Sequence, residues 1–347
     1  KIMMFTNKKI LLILSFTSKP DFWMIEEYRR LGYEVEILVN EHATSSDLFK
    51  KRGVWGQAIN SFARFMLGWK AHKRYAGESR VIFWNWESSF FFLLRDFLTF
   101  RRCQAKIIAL HLILIDTLLV KRYFWQVMFL FARFHFGYCI AVNSEMERTR
   151  YGAKYHMPLR KIVVLPDSYE WNGLPTQEEL VRIRVEQRSV FCGGCSRDFK
   201  TLLLVAKQLP DYSFTVIAAK KIWREEWEIP DNVKVFFDTS KDFFYTSLFK
   251  SAILYLPLER DEANGLIVLT KAALLRRPII VTDTSCTRNY IVNNQNGILV
   301  PMWGVSDAVK AIKKLEDESL RDRLVQKMSV DIETHSPLNY CRRILDI

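Results

Sequence analysis

Short apolar runs recur along the whole chain with helix-length amphipathic stretches between them, and that alternation constrains the fold more than any other feature. In the first half the runs are Lys9–Ser15, Glu34–Val39, Arg80–Trp84, Ala105–Leu110, Tyr138–Val142 and Lys161–Leu165. In the second they are Ser189–Cys192, Ser213–Ala218, Val233–Phe236, Ala252–Pro257, Pro278–Thr282 and Gly297–Val300. Stretches such as Phe22–Leu31 and Glu145–Tyr151 read as the helices between them. A strand apolar on both faces needs cover on both, which is the parallel sheet of an α/β protein. Right-handed crossovers then build two Rossmann-like halves. The pattern breaks at Pro166–Pro175 (PDSYEWNGLP), rich in chain-bending residues, so the expected domains are 1–170 and 171–347, with the last helix free to pack back on the first. At 347 residues and 49% hydrophobic, the chain has enough apolar surface for two cores.

One segment carries chemistry. The run Ile253–Leu258 (ILYLPL) is followed by Glu262–Ala272 (EANGLIVLTKA), which is a strand, a polar turn with an acid and a glycine, and a helix starting near Gly265. The first amides of such a helix have no internal partners and sit at the positive end of its dipole. An anion placed there gains hydrogen bonds and field together.

These residues resemble the donor-binding unit of nucleotide-sugar glycosyltransferases of the GT-B type, in particular the retaining family 4 (group 1) enzymes. In that family a glutamate, a glycine three residues on and a second glutamate eight residues after the first open the donor helix. Glu262 and Gly265 match, whereas Thr270 stands where the second glutamate belongs. RRPIIVTDT (Arg276–Thr284), NNQNGILVP (Asn293–Pro301) and DAVKAIKKLEDESLRDRL (Asp307–Leu324) are similar to the family's segments beyond the donor helix. FCGGCSRDFKTLLLVAKQLP (Phe191–Pro210) is similar to the first strand, loop and helix of the donor domain, and Ala141–Glu170 to the end of the acceptor domain. Before residue 140 the likeness is in the order of elements alone.

The resemblance implies a GT-B fold with two Rossmann-like domains facing each other across a cleft. It also implies a hexosyltransferase-type, retaining, metal-independent enzyme, without an Asp-x-Asp pair of the kind that holds a divalent ion. Its donor is a UDP-, GDP- or other nucleotide sugar, and its acceptor a glycan or lipid-linked glycan. No cofactor is called for. Arg197 is the expected diphosphate ligand, because a guanidinium fork suits two phosphate oxygens and stays charged. Its bland reading is a solvated cation or a partner for Asp198. Gly193, Gly194 and Lys200 are assigned to the same phosphate loop, and Asn264, Gly265, Leu266 and Thr270 to the donor helix. Glu262 is expected to hold sugar hydroxyls; otherwise it is one more acid in the run Glu259–Glu262. Thr270 offers the ribose a single weak contact. Lys271, about 100° further round the helix, points elsewhere. His111, after the run Ala105–Leu110, stands near the sugar in such enzymes, or is a satisfied core histidine. Asp116, Ser18, Lys19 and Asp21 are lesser candidates. A catalytically weak GT-B-like binding subunit and a nucleotide-sugar epimerase remain as alternatives, the first because of Thr270.

Charge adds a partner. Residues 1–170 hold 26 Lys and Arg against 15 Asp and Glu, while residues 171–347 hold 25 against 23, so the basic character belongs to the first half. There, cations flank large rings at Trp69–Tyr75 and Lys121–Trp125. Rings enter a headgroup boundary while cations meet anionic lipid, so the expected partner is a peripheral anionic membrane surface rather than nucleic acid, the plain alternative being buried rings with solvated charges. Ile10–Phe16 is far shorter than the ~20 residues of a spanning helix, which leaves a cytoplasmic protein at the inner face of the membrane as the expectation. Six cysteines do not make a disulfide scaffold, and the Cys192–Cys195 pair lacks the further ligands of a zinc site.

Overall fold

The structure, a computed structural model, describes residues 8–15, 22–40, 54–75, 80–100, 103–112, 119–169 and 176–347, without the side chains of 54–60, 119–124, 177, 180 and 181. The chain forms two compact units. One comprises residues 1–165 together with 337–347, and the other residues 166–336.

The first unit runs β1 (Lys9–Leu14), α1 (Trp23–Arg30), β2 (Glu34–Val39), α2 (Val54–Arg74), β3 (Arg80–Phe83), α3 (Trp86–Thr99), β4 (Ile107–Ala109), α4 (Leu119–Phe134), β5 (Tyr138–Val142), α5 (Glu145–Tyr155) and β6 (Ile162–Val164). Its six-stranded sheet has the order β2-β1-β3-β4-β5-β6, parallel throughout. The second unit runs α6 (Gln177–Arg182), β7 (Glu186–Gly193), α7 (Phe199–Lys207), β8 (Ser213–Ala218), β9 (Val233–Phe237), α8 (Lys241–Lys250), β10 (Ser251–Leu256), α9 (Leu266–Leu274), β11 (Ile279–Thr282), β12 (Ile298–Val300), α10 (Val305–Lys314) and α11 (Glu318–Asp331). Its sheet is also parallel, in the order β12-β11-β10-β7-β8-β9. The last helix, α12 (Pro337–Asp346), returns to the first unit.

The apolar runs became strands because both faces are covered. Leu11, Ile13, Val81 and Phe83 pack on one side of the first sheet, and Ile10, Leu12, Leu14 and Ile82 on the other, the second side closed by Tyr28 of α1 and by Tyr340, Cys341 and Ile344 of α12. Helix starts carry their own signals. Ser144 accepts from the Glu147 amide at 3.2 Å while the Glu147 carboxylate accepts from the Asn143 amide at 2.8 Å, a reciprocal cap on α5. Asp198 caps α7 by accepting from the Thr201 amide at 3.0 Å, a contact worth ~1 kcal/mol. The cations of the Trp69–Tyr75 cluster face solvent, but its rings do not form a surface. Arg95 lies 4.6 Å over Trp69, the Tyr75 hydroxyl accepts from the Gln104 and Ala105 amides, and His72 is buried. In the Lys121–Trp125 cluster, the side chains of residues 121–124 lie outside the described set, and Trp125 packs on Trp86 with centroids 4.6 Å apart. No helix among the described residues is long and apolar enough to cross a membrane.

Candidate functional site

In an open parallel sheet, ligands sit beyond the carboxyl ends of the strands where the strand order reverses. In the second unit that point lies between β7 and β10. The loop after β7 carries Gly194 to Arg197, and the loop after β10 carries Glu262 to Gly265. Arg197 and Leu258 form an antiparallel bridge, and the Asp198 amide donates to the Pro257 carbonyl at 3.0 Å, so the two loops are stitched side by side.

Arg197 folds back into its own loop and is only 2% exposed. Its Nε donates to the Gly193 carbonyl at 3.0 Å and its Nη1 to the Cys195 carbonyl at 2.8 Å, while Nη2 makes no hydrogen bond among the described residues. Burial pulls the guanidinium down from its ordinary pKa, yet a guanidinium keeps its charge in a protein. Asp198 is not its partner: one carboxylate oxygen caps α7, and Oδ2 is buried without a hydrogen bond among the described residues. A buried cation with an uncommitted donor and no carboxylate is incomplete until an anion arrives.

Two glycines make room for it. A Cβ on Gly194, at φ +112°, would lie 2.8 Å from Nη2; one on Gly265, at φ +79°, would lie 3.2 Å from Nη2 and 3.3 Å from Nη1. Gly265 is also the left-handed N-cap of α9, which has no side-chain cap, so no side chain covers the start of the helix beside the guanidinium. The expected reason for the β7 glycines needs correction. Gly193 is filled by rings, since its Cβ would meet Phe244 at 2.6 Å and Phe191 at 2.8 Å, and it is a packing position rather than a place of phosphate approach.

The remaining candidates separate by burial. Glu262 is half-buried and its carboxylate has no hydrogen bond or ion pair among the described residues, unlike its neighbour Asp261, which accepts from the amide and hydroxyl of Ser285 at 2.9 and 2.7 Å. The acidic run thus divides into a loop anchor and a free acid. Asn264 is half-buried in the same turn, its amide donating to the Glu262 carbonyl at 2.7 Å. Lys200 is exposed. The Leu266 side chain is in the core, leaving only its amide for a ligand. Thr270 corrects its assignment to the ribose: it is 2% exposed and its hydroxyl donates to the Ile267 carbonyl at 3.1 Å, so the helix itself takes the contact. Lys271 is buried, its ammonium 4.7 Å over the Tyr245 ring. Among the described residues no cluster of His, Cys, Asp or Glu is arranged to hold a metal ion.

In the first unit the order reverses between β1 and β3. Ser15, directly after β1, and Asn85, two residues past β3, are hydrogen-bonded to each other through their side chains there. Sequence reading missed both; their place at the carboxyl ends of two expected strands, Ser15 as the last residue of one and Asn85 next after the other, was the available signal. His111 follows β4 at φ +54°, its ring 4.3 Å from that of Trp84. Ser18, Lys19, Asp21 and Asp116 lie outside the described residues.

No family model and no curated protein matches the sequence. Solved structures match its fold over nearly the whole length. Sucrose-phosphate synthase from Thermosynechococcus elongatus does so with a TM-score of 0.68 at 11% identity, covering 98% of each chain. A glycosyltransferase from Rickettsia africae ESF-5 reaches 0.68 at 12% identity, over 98% of this chain and 97% of that one. Anabaena HepE, solved in complex with UDP-glucose, reaches 0.63 at 11% identity, over 97% of this chain and 98% of that one. The chain has the GT-B fold. Its two six-stranded parallel sheets are the two Rossmann-like domains of that fold, as the alternating apolar runs implied. At this identity the likeness is one of GT-B architecture, and the chemistry rests on the residues.

Proposed function

We propose that the protein is a glycosyltransferase that moves a sugar from a nucleotide diphosphate sugar to a glycan or lipid-linked glycan, with retention of configuration. The observation that carries this reading is the buried guanidinium of Arg197, with Nη2 uncommitted, against the uncapped N-terminus of α9 at Gly265. A diphosphate placed there meets one fixed cation and the first-turn amides. As the bond to the sugar breaks, charge grows on the leaving diphosphate, and donors already in position stabilise it without reorganising. The free carboxylate of Glu262, in the loop entering the same helix, accepts two sugar hydroxyls and orients the ring over the diphosphate. His111 is assigned to the sugar or acceptor side, at the carboxyl edge of the first sheet. The charge of the leaving group is met by these groups, so the reading calls for no divalent ion.

HepE was solved with UDP-glucose, which makes UDP-glucose the first donor to test. A panel of nucleotide sugars is screened by thermal shift, and the ligand that raises the melting temperature is then followed for nucleotide release with and without glycan acceptors. Release that depends on acceptor, with an NMR-assigned product of unchanged anomeric configuration, supports the proposal. A stabilising nucleotide sugar that is never turned over favours the second reading, a GT-B-like binding subunit, to which the buried, self-satisfied Thr270 lends support.

A further inference from the structure

The first unit carries an apolar face that the donor chemistry does not use. In a parallel sheet, a helix that leads into a strand ends at that strand's amino edge. α2, α3 and α4 lead into β3, β4 and β5, so all three end on the edge opposite the ligand-binding one. Their ends are tied together inside the protein. His72 of α2 and Asp96 of α3 are 3.0 Å apart, and His135, just past α4, lies 3.4 Å from the other oxygen of Asp96. Outside this buried clasp stand four rings that the described residues leave open: Phe97 is 58% exposed, Phe100 88%, Phe134 75% and Phe136 100%. Singly exposed apolar residues need no explanation, but four large rings at one edge of one domain do.

The exposed charges next to them in sequence are of one sign. Arg133 lies 5.7 Å over the Phe134 ring. Lys73 follows the clasped His72 in sequence, and Arg160 precedes Lys161, whose ammonium donates to the carbonyls of Ala132 and His135 at the end of α4. Lys73, Arg133 and Arg160 are exposed, and none has a carboxylate at ion-pair distance among the described residues. Among the described residues from 92 to 138 the only acid is Asp96, which is buried. A second copy of the chain fits this face poorly, because a twofold contact would set its unpaired cations, Lys73, Arg133 and Arg160, against one another.

We infer that this edge docks on an anionic lipid bilayer, with Phe97, Phe100, Phe134 and Phe136 entering the headgroup boundary and Lys73, Arg133 and Arg160 meeting lipid phosphates. Rings alone bind a bilayer weakly and cations alone are screened by salt; the pairing makes a reversible, lipid-selective contact. This surface replaces the Trp69–Tyr75 cluster as the one suited to a membrane, and within the first unit it lies at the sheet edge opposite the one that carries Ser15, Asn85 and His111.

The test is flotation of the full chain with vesicles of neutral phosphatidylcholine, with and without anionic phosphatidylglycerol. Wild type should float with the anionic vesicles, much less with neutral ones, and be partly released by high salt. F100S/F134S/F136S should retain the wild-type melting temperature and bind at least roughly tenfold more weakly. K73Q/R133Q/R160Q should lose the preference for anionic lipid. Failure of wild type to float, or flotation of both variants at the wild-type level, overturns the inference. So does a wild-type dimer that the ring variant converts to monomer without vesicle binding, which would make the face a self-association surface. Binding of a single-stranded oligonucleotide through the same rings, in a protein that ignores vesicles, overturns it as well.

Discussion

The Arg197 guanidinium occupies the space that a side chain at Gly265 would need: a Cβ there would lie 3.2 Å from Nη2. Residues 68 positions apart in the chain thus meet at one point of the second unit, where the glycine is required by the arginine as well as by its own φ of +79°.

Gly265→Ala should therefore weaken donor binding beyond its backbone cost. The left-handed conformation costs an alanine about 1–2 kcal/mol, and the methyl pushes the guanidinium out of place. Gly32 is a matched control, with φ +81° and nothing within 4 Å of its Cβ position. Gly32→Ala should lower the melting temperature comparably and leave nucleotide affinity untouched. Equal nucleotide affinity in the two variants would separate Gly265 from the site.

Arg197→Ala should lower kcat/KM for transfer by roughly 10²–10³-fold, the effect of removing one preorganised donor worth ~2–4 kcal/mol in the transition state. The loss should fall mainly on kcat, because the contact strengthens as the leaving group gains charge. Steady-state kinetics on a protein of verified fold decide it; wild-type kcat/KM would remove Arg197 from the diphosphate.

Thr270→Val should leave nucleotide affinity unchanged. The hydroxyl already donates to the Ile267 carbonyl, and the swap removes one net hydrogen bond of about 1 kcal/mol from the helix without touching a ligand. Isothermal titration with the donor identified by thermal shift checks this. A clear loss of affinity would restore Thr270 as a nucleotide contact.

The clasp on Asp96 makes stability depend on pH. Burial by itself raises the carboxyl, but the close approach of His135 and the hydrogen bonds with His72 and from the Cys103 amide outweigh it and hold the group at about 2. A carboxyl depressed in the folded state contributes stability that is full above its unfolded value of about 4 and is lost as pH falls toward the folded value. Asp96→Asn should cost on the order of 1–3 kcal/mol near pH 6, with the gap to wild type narrowing between about pH 4 and pH 2. Urea titrations across that range measure it, and a constant gap would mean that the charge on Asp96 is not the cause.

Much of this architecture can be read from one dimension. A buried parallel strand is a contiguous apolar run, so Leu11–Leu14, Val190–Cys192 and Ile253–Leu256 declare themselves without reference to neighbours. The turn at Glu262–Gly265 is also local: an acid and a glycine before an unbroken apolar helix place an uncapped N-terminus, and Arg197 falls in the loop after its strand. These features depend on residues within a few positions of one another, where composition and spacing carry the physics.

Other features depend on contacts across the fold. That Arg197 is buried rather than solvated is due to the bridge to Leu258 and the space at Gly265, both supplied by a strand and loop that parallel pairing brings alongside β7. That Gly193 serves ring packing depends on Phe244 arriving from α8. Trp69 and Phe134 read alike in sequence, as aromatics beside cations, yet one lies under Arg95 and the other is open to solvent. A ring's burial depends on which helix end packs against it, and His72, Asp96 and His135 bring those ends together from three separate helical segments; no local pattern encodes that meeting.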